Sequence, residues 1–94
     1  MSLEMLVVKY IASTEKVMEE MQQTKGSLTI DEEQVAKVVE YVKDYLADAK
    51  YYKAQKKLET SLTSIAYCEG LLDALRLLGV VKFEWPRKPV NNVK

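Results

Sequence analysis

The densest apolar segment of this chain is AYCEGLLDALRLLG, residues 66–79. Three charged residues, Glu69, Asp73 and Arg76, interrupt it together with Gly70. On a helical wheel at about 100° per residue, the three charges fall within roughly 60° of one another. Nearly all other positions are apolar, so the segment predicts a central helix that is covered on most sides. Because a mid-helix glycine costs about 1 kcal/mol relative to alanine, we expect Gly70 to allow a close approach by a neighbouring backbone.

This helix extends back to residue 58. One apolar stripe consists of Leu58, Leu62, Ile65, Cys68, Leu72 and Leu75. A second stripe beside it consists of Tyr67, Leu71, Ala74 and Leu78. Gly79 predicts the end of the helix, because glycine readily adopts the left-handed conformation that often follows a helix.

A second helix is predicted to start within SLTIDEEQV, residues 27–35. Two capping boxes fit this segment, Thr29 with Glu32 and Asp31 with Gln34, and the sequence leaves both open. The apolar stripe that follows alternates spacings of three and four residues, as in an amphipathic helix. Its members are Val35, Val38, Val42, Tyr45, Ala49 and Tyr52.

A first helix is predicted from Leu3 to about Lys25, with Gly26 at its C-terminal end. Its stripe alternates spacings of four and three residues over Leu3, Val7, Tyr10, Thr14, Val17 and Met21, and the apolar Leu6, Ile11 and Met18 widen it. The boundary between the second and third helices carries neither glycine nor proline. We place it within residues 54–57, because one helix from 31 to 78 would extend about 70 Å and could not bury its own apolar face. Two helices joined there form an αα-hairpin.

The sequence therefore predicts an all-α fold, an antiparallel three-helix bundle made of the αα-hairpin and the N-terminal helix. A short extended C-terminal segment follows, in which Val81, Phe83 and Trp85 alternate with charged residues. We expect one domain over residues 1–85 and a flexible polar tail over 86–94. Phe83 and Trp85 are candidate partner-binding residues, since large aromatics anchor many interfaces. Packing of this segment on its own bundle and contact with a second copy are both left open.

Composition excludes several classes of function. The 94 residues carry zero formal net charge, so there is no overall attraction to nucleic acid or to an anionic membrane. The chain has no histidine and a single cysteine, which precludes a zinc site of the usual type within one chain. No signal peptide or transmembrane stretch is apparent, and the lone Cys68 is typical of a reducing compartment, so we expect a cytoplasmic protein.

Two charged clusters provide alternatives to a purely structural interpretation. Carboxylates spaced four apart on the second and third helices could form facing acidic rows that hold a metal ion. These metal candidates are Glu40, Asp44, Asp48, Glu69 and Asp73. Lysines near the hairpin turn, beside two tyrosines, could contact phosphates and bases. These nucleic-acid candidates are Lys50, Lys53, Lys56 and Lys57. For both clusters, a solvated helix surface is the preferred interpretation.

Two neighbouring patterns stand on either side of the predicted turn. The helix before it ends in Asp48, Ala49, Tyr51 and Tyr52, and the helix after it carries Ala66, Tyr67, Glu69, Gly70, Leu71, Leu72, Asp73 and Ala74. These patterns resemble the hallmarks of the archaeal family DUF357, an Asp-Ala-x-Tyr-aromatic helix end followed by a helix with Ala-Tyr-x-Glu/His-Gly-Leu-Leu-Asp-Ala. The resemblance covers about residues 28–85. The turn between the two patterns differs, because Gln55-Lys56-Lys57 stands where a Gly-Asp-like turn is common. The resemblance implies a small helical bundle and provides no catalytic residue.

We therefore expect a non-catalytic protein-interaction or scaffold domain without a cofactor. We expect its partner to be an unidentified protein, with a homodimer as one form of that partnership, and no membrane or nucleic acid. The alternative functions are a metal-dependent protein that binds or hydrolyses nucleotides and a weak RNA or DNA binder.

Overall fold

The computed structural model describes residues 2–86. It contains three α-helices: α1 spans Leu3–Glu20, α2 spans Glu32–Ala54 and α3 spans Leu58–Leu77. No strand occurs within residues 2–86. The predicted all-α class is confirmed, and residues 82–86 follow α3 as a segment without regular secondary structure. The polar tail predicted for 86–94 lies outside the described residues beyond position 86.

The start of α2 is fixed by a capping box. The Asp31 carboxylate accepts a hydrogen bond from the Gln34 backbone N–H at 3.0 Å, and the Asp31 N–H donates to Gln34 Oε1 at 3.1 Å. Two backbone donors that lack helical partners are thereby satisfied. Glu32 and Glu33 follow in the first turn, at the positive end of the helix dipole. Of the two caps that the sequence allows, the structure therefore uses Asp31.

The turn between α2 and α3 lies where the sequence predicts it. The Lys56 N–H donates to the Lys53 carbonyl at 3.0 Å, and the Lys57 N–H donates to the Tyr52 carbonyl at 2.9 Å. These are the two bonds of a Schellman motif, which satisfies carbonyls at the end of a helix. Lys56 occupies the left-handed position with φ 60°. Lys56 therefore adopts the left-handed conformation at a position where glycine is usual.

Helices α2 and α3 pack against each other as an antiparallel hairpin. Its buried core consists of Val42, Ala49, Cys68 and Leu75. The Ser61 hydroxyl donates to the Ala49 carbonyl at 2.7 Å, and the Cys68 thiol donates to the Val42 carbonyl at 3.4 Å. Every residue of the predicted α2 stripe is buried or half-buried, so that stripe is confirmed as the packing face.

Helix α3 ends as predicted at its glycine. Gly79 has φ 78°, its N–H donates to the Arg76 carbonyl, and the Val80 N–H donates to the Leu75 carbonyl. The expectation that α3 is covered on most sides is wrong. Leu62 is 68% exposed and Leu77 is 79% exposed, because α2 is the one helix of residues 2–86 that packs along α3.

The expected packing role of Gly70 is also wrong. A Cβ built at this position meets nothing within 4 Å apart from its own helix backbone. Gly70 therefore lies on an open part of α3, and no neighbouring backbone approaches it.

Helix α1 is shorter than predicted. It starts at Leu3, where the Ser2 hydroxyl accepts a hydrogen bond from the Met5 N–H, and it ends at Glu20. Residues 22–25 are Gln, Gln, Thr and Lys, which add nothing to the apolar stripe, so no packing offsets the entropy of extending the helix. Gly26, with φ 89°, consequently lies within the linker over 21–31 and does not cap the helix.

Helix α1 lies apart from α2 and α3, unlike a helix of a closely packed three-helix core. No Cα atom of α1 lies within 8 Å of one in α2 or α3, and none of its residues is buried. The radius of gyration is 16.2 Å, whereas about 12 Å is usual for a compact domain of this length. Helix packing is thus confined to α2 and α3. Within residues 2–86, no helix is both long enough and apolar enough to traverse a membrane.

Candidate functional site

The charged stripe of α3 contacts the C-terminal segment of the same chain. The Trp85 indole N–H donates to Asp73 Oδ1 at 2.7 Å, and the Arg76 guanidinium reaches the same oxygen at 3.4 Å. Arg76 also lies over the ring of Phe83, 5.7 Å from its centroid. The Phe83 and Trp85 rings meet edge to face at 5.0 Å. Asp73 therefore faces this aromatic segment, whereas Glu69 is exposed.

The two candidate partner-binding aromatics consequently have contacts within their own chain. Phe83 is half-buried, and Trp85 is 39% exposed with its only hydrogen-bond donor already in use. Val81, Phe83 and Trp85 belong to a segment without regular secondary structure, in which Phe83 and Trp85 contact side chains of α3. The sequence left open where this segment packs, and Asp73 and Arg76 provide the contact.

The five metal candidates do not form a cluster. Glu40 and Asp44 lie about 160° around α2 from Val42, on the side opposite α3. Glu40 forms an exposed ion pair with Lys43 at 3.5 Å, and Asp73 is engaged by Arg76 and Trp85. Asp48 and Glu69 are both exposed. Within residues 2–86, no group of three or more histidine, cysteine or acidic side chains is arranged to hold a metal ion.

The four lysine candidates lie around the hairpin turn and are all exposed. Lys53 occupies the last turn of α2, where a positive charge complements the negative end of the helix dipole. Tyr51 and Tyr52 meet edge to face at 5.3 Å, but Tyr52 is half-buried against the hairpin. Tyr51 is the one exposed residue of this pair, which gives the lysines little aromatic surface for stacking bases.

Cys68 is a core residue with an inert thiol. It is 2% exposed and its Sγ donates to the Val42 carbonyl. Burial raises the pKa of the Cys68 thiol, and the negative charges of Glu69 and Asp48 raise it further. The backbone hydrogen bond opposes this shift without cancelling it. Because the thiolate is the nucleophilic form, this environment is the opposite of that of a reactive cysteine.

Within residues 2–86, no other helix packs on the apolar face of α1. A groove of about 940 Å³ separates this face from the first turns of α3. The α1 wall of the groove includes Leu3, Leu6, Val7, Tyr10, Ile11 and Met18. The α3 wall consists of polar side chains, Glu59, Thr60 and Thr63. The α1 face therefore has no apolar surface opposite it.

The sequence identified every residue of this face but assigned it to the core. Sequence periodicity reports which residues share a side of a helix, and it does not report what covers that side. The connection provided no such signal in the sequence, because a first helix predicted to Lys25 leaves a link of ordinary length. The eleven residues of the linker over 21–31 are evident only in the structure.

Comparisons with known proteins agree with the resemblance in the hairpin and extend it into α1. The model of a family described as a protein of unknown function, DUF357, matches residues 9–81. No curated protein matches the chain. No solved structure matches it either.

Proposed function

The chain belongs to the DUF357 family of proteins of unknown function, and we propose that it acts as a non-catalytic protein-interaction domain. The binding surface in this proposal is the apolar face of α1. Asp73, Cys68 and the lysines near the hairpin turn lie outside that surface.

One observation carries the proposal, which is the exposure of a complete amphipathic face. The large apolar residues of α1 that belong to the predicted stripe are between 47% and 62% exposed, apart from the half-buried Leu6. Contiguous apolar patches above a few hundred Å² are uncommon on monomeric proteins and mark sites of association. An amphipathic helix that presents its apolar side is also a common form of protein recognition.

The cytoplasm is the compartment that we propose for this interaction. The only cysteine is free and buried in the described structure, which is compatible with a reducing environment.

The proposal is tested by affinity capture with two matched variants of adjacent α1 residues. Ile11→Glu places a charge on the apolar face, midway along the helix and about 70° from the centre of that face, whereas Ala12→Glu places it about 170° from that centre. Tagged wild type, Ile11→Glu and Ala12→Glu are each incubated with native lysate that also contains an untagged copy of the chain.

We expect wild type and Ala12→Glu to retain the same proteins and Ile11→Glu to lose them. The untagged copy of the chain counts as one of the proteins that can be retained. Retention of an identical set by all three chains would show that the α1 face is not the binding surface. Circular dichroism of each variant checks that α2 and α3 remain folded.

A further inference from the structure

We propose that the partner of the α1 face is a second copy of this chain, with α1 of each copy packed on the α2–α3 hairpin of the other. This inference rests on the proposed function, since it names the occupant of the same surface. The receiving surface is an apolar patch near the hairpin turn, which we call the turn-end patch. It consists of Leu46, Leu58 and Leu62.

The turn-end patch is exposed and lies on one side of the hairpin. Leu58 and Leu62 are 65% and 68% exposed. The rings of Tyr45 and Tyr67 stack at 4.4 Å and close one of the two grooves between the helices. On helical wheels, Leu46 lies about 40° from Val42, and Leu62 lies about 120° from Cys68. Both leucines are on the side of the packing faces opposite to Tyr45 and Tyr67. The turn-end patch therefore borders the groove that no tyrosine pair closes.

Charge complementarity matches α1 to this patch. Glu4, Glu15 and Glu20 flank the apolar face of α1, at about 95° to 115° from its centre on the helical wheel. Glu20 also forms an ion pair with Lys16 at 3.8 Å. The turn-end patch is bordered by Lys50 and Lys53 of α2 and by Lys57 of the turn, all exposed. Exposed charges of this kind orient partners more than they add affinity. The zero net charge of the chain means that two copies do not repel each other.

The available area is sufficient for a stable dimer. Burial of each large apolar side chain on α1 removes on the order of 100 Å² of apolar surface from water. This area is the transfer free energy of such a side chain divided by about 25 cal/mol per Å². The seven large apolar side chains of this face therefore offer roughly 700 Å², close to the roughly 800 Å² that each partner contributes to a standard protein interface. A reciprocal exchange uses the face twice, as a two-fold dimer requires.

Features of the chain favour a second copy over its own hairpin as the occupant. In its own chain, α1 faces the polar side of α3 across an open groove, and the turn-end patch remains uncovered. The linker over 21–31 is long for a connection within a bundle and has Gly26 in the left-handed region near its middle. Such a hinge lets a helix leave its own hairpin and pack on an identical one, which is a low-cost route to a dimer.

The first test is the molar mass in solution, measured by light scattering and sedimentation over a range of concentrations. We expect wild type and Ala12→Glu to be dimers, and both Ile11→Glu and Leu62→Glu to be monomers. Leu62 is largely exposed, so its variant should keep the circular dichroism of the hairpin. A dimer that persists in Ile11→Glu and Leu62→Glu but dissociates in Trp85→Ala would place the interface at the C-terminal segment and overturn the proposal.

The second test separates exchange between copies from closure within one chain. A chain with Ile11→Cys is mixed with a chain carrying Leu62→Cys and oxidised, while the buried Cys68 serves as an unreactive internal thiol. We expect a disulfide-linked pair of the two different chains, and none when Leu77→Cys replaces Leu62→Cys. If a chain with both substitutions forms only an intrachain disulfide at monomer mass, α1 closes on its own hairpin and the proposal is wrong.

These results also distinguish the two proposals. Wild type that is monomeric at every concentration overturns the exchange. Capture of another protein through the α1 face would still support the proposed function in that case.

Discussion

Lys56 is the residue with the most unusual backbone in the described chain. Apart from glycines, it is the one residue of 2–86 with a positive φ, and it closes the turn between α2 and α3. An L-residue with a Cβ pays roughly 1–2 kcal/mol for this conformation, whereas glycine adopts it freely. The side chain of Lys56 is exposed and donates none of the hydrogen bonds that form the turn.

We therefore predict that Lys56→Gly raises the free energy of unfolding by about 0.5–1 kcal/mol, after the greater entropy of glycine in the unfolded chain is subtracted. Urea denaturation followed by circular dichroism measures the change. The matched control is Lys57→Gly, because Lys57 has φ −94° and gains nothing from glycine. Equal effects at positions 56 and 57 would contradict the explanation.

Cys68 couples the stability of the hairpin to pH. Its folded-state pKa is raised by burial, so the unfolded thiol loses its proton at a lower pH than the folded thiol. The stabilisation by the neutral thiol is fully present below the unfolded pKa of about 8.5. It is lost as the pH rises from there through the folded pKa, because only the unfolded state gains from deprotonation over that interval.

We predict that the wild-type chain loses stability above about pH 8.5 with a slope of up to roughly 1.4 kcal/mol per pH unit more than that of Cys68→Ala. Urea denaturation of both chains between pH 7 and pH 10 measures this difference. Tyrosines and lysines titrate in both chains, so the comparison isolates the thiol. Parallel pH profiles would show that Cys68 is not protected by burial.

At the level of the elements, the sequence specifies some helix ends better than others. Gly79 and the break at 54–57 were predictable, because the first is a preferred terminating residue and the second is required by the length of a foldable helix. The end of α1 was not, since Gly26 is a terminator that the helix never reaches. For the N-terminus of α2 the sequence allowed two capping boxes, and only the three-dimensional structure shows which of them forms.

The use of one cap leads to a prediction with an internal control. Asp31→Ala should lower the free energy of unfolding by about 1 kcal/mol, since it removes the acceptor of the Gln34 N–H. Thr29→Ala removes the alternative cap, which forms no such bond, and should change stability by less than about 0.5 kcal/mol. Thermal unfolding followed by circular dichroism compares the two variants. A larger loss for Thr29→Ala would mean that α2 begins earlier in solution.

At the level of the whole molecule, the chain consists of a packed hairpin and a helix that has no tertiary support of its own. Helix α1 has 18 residues, and in proteins most of the stability of a helix comes from the packing of its amphipathic face. Its stability must therefore come from whatever covers its apolar face, whereas α2 and α3 support each other.

Hydrogen exchange should show this difference directly. In dilute solution we predict slow exchange for amides near Val42 and Cys68 and fast exchange throughout α1. As the concentration rises, α1 should become protected, while the protection of the hairpin core should change little, because mass action favours the associated state. Protection of α1 that is independent of concentration would contradict this prediction and would indicate closure within one chain.

The sequence by itself determined the all-α class, the packing stripe of α2, the hairpin break and the place of the single cysteine on the apolar stripe of α3. These features depend on local periodicity, helix length and composition, which are properties of neighbouring residues. Tertiary structure alone decided that Asp73 receives the Trp85 indole, that Asp31 caps α2, and that α3 and α1 keep exposed apolar faces. The physical reason is that an apolar stripe defines the side of a helix that must be buried, whereas the surface that buries it is set by contacts between distant parts of the chain or between chains.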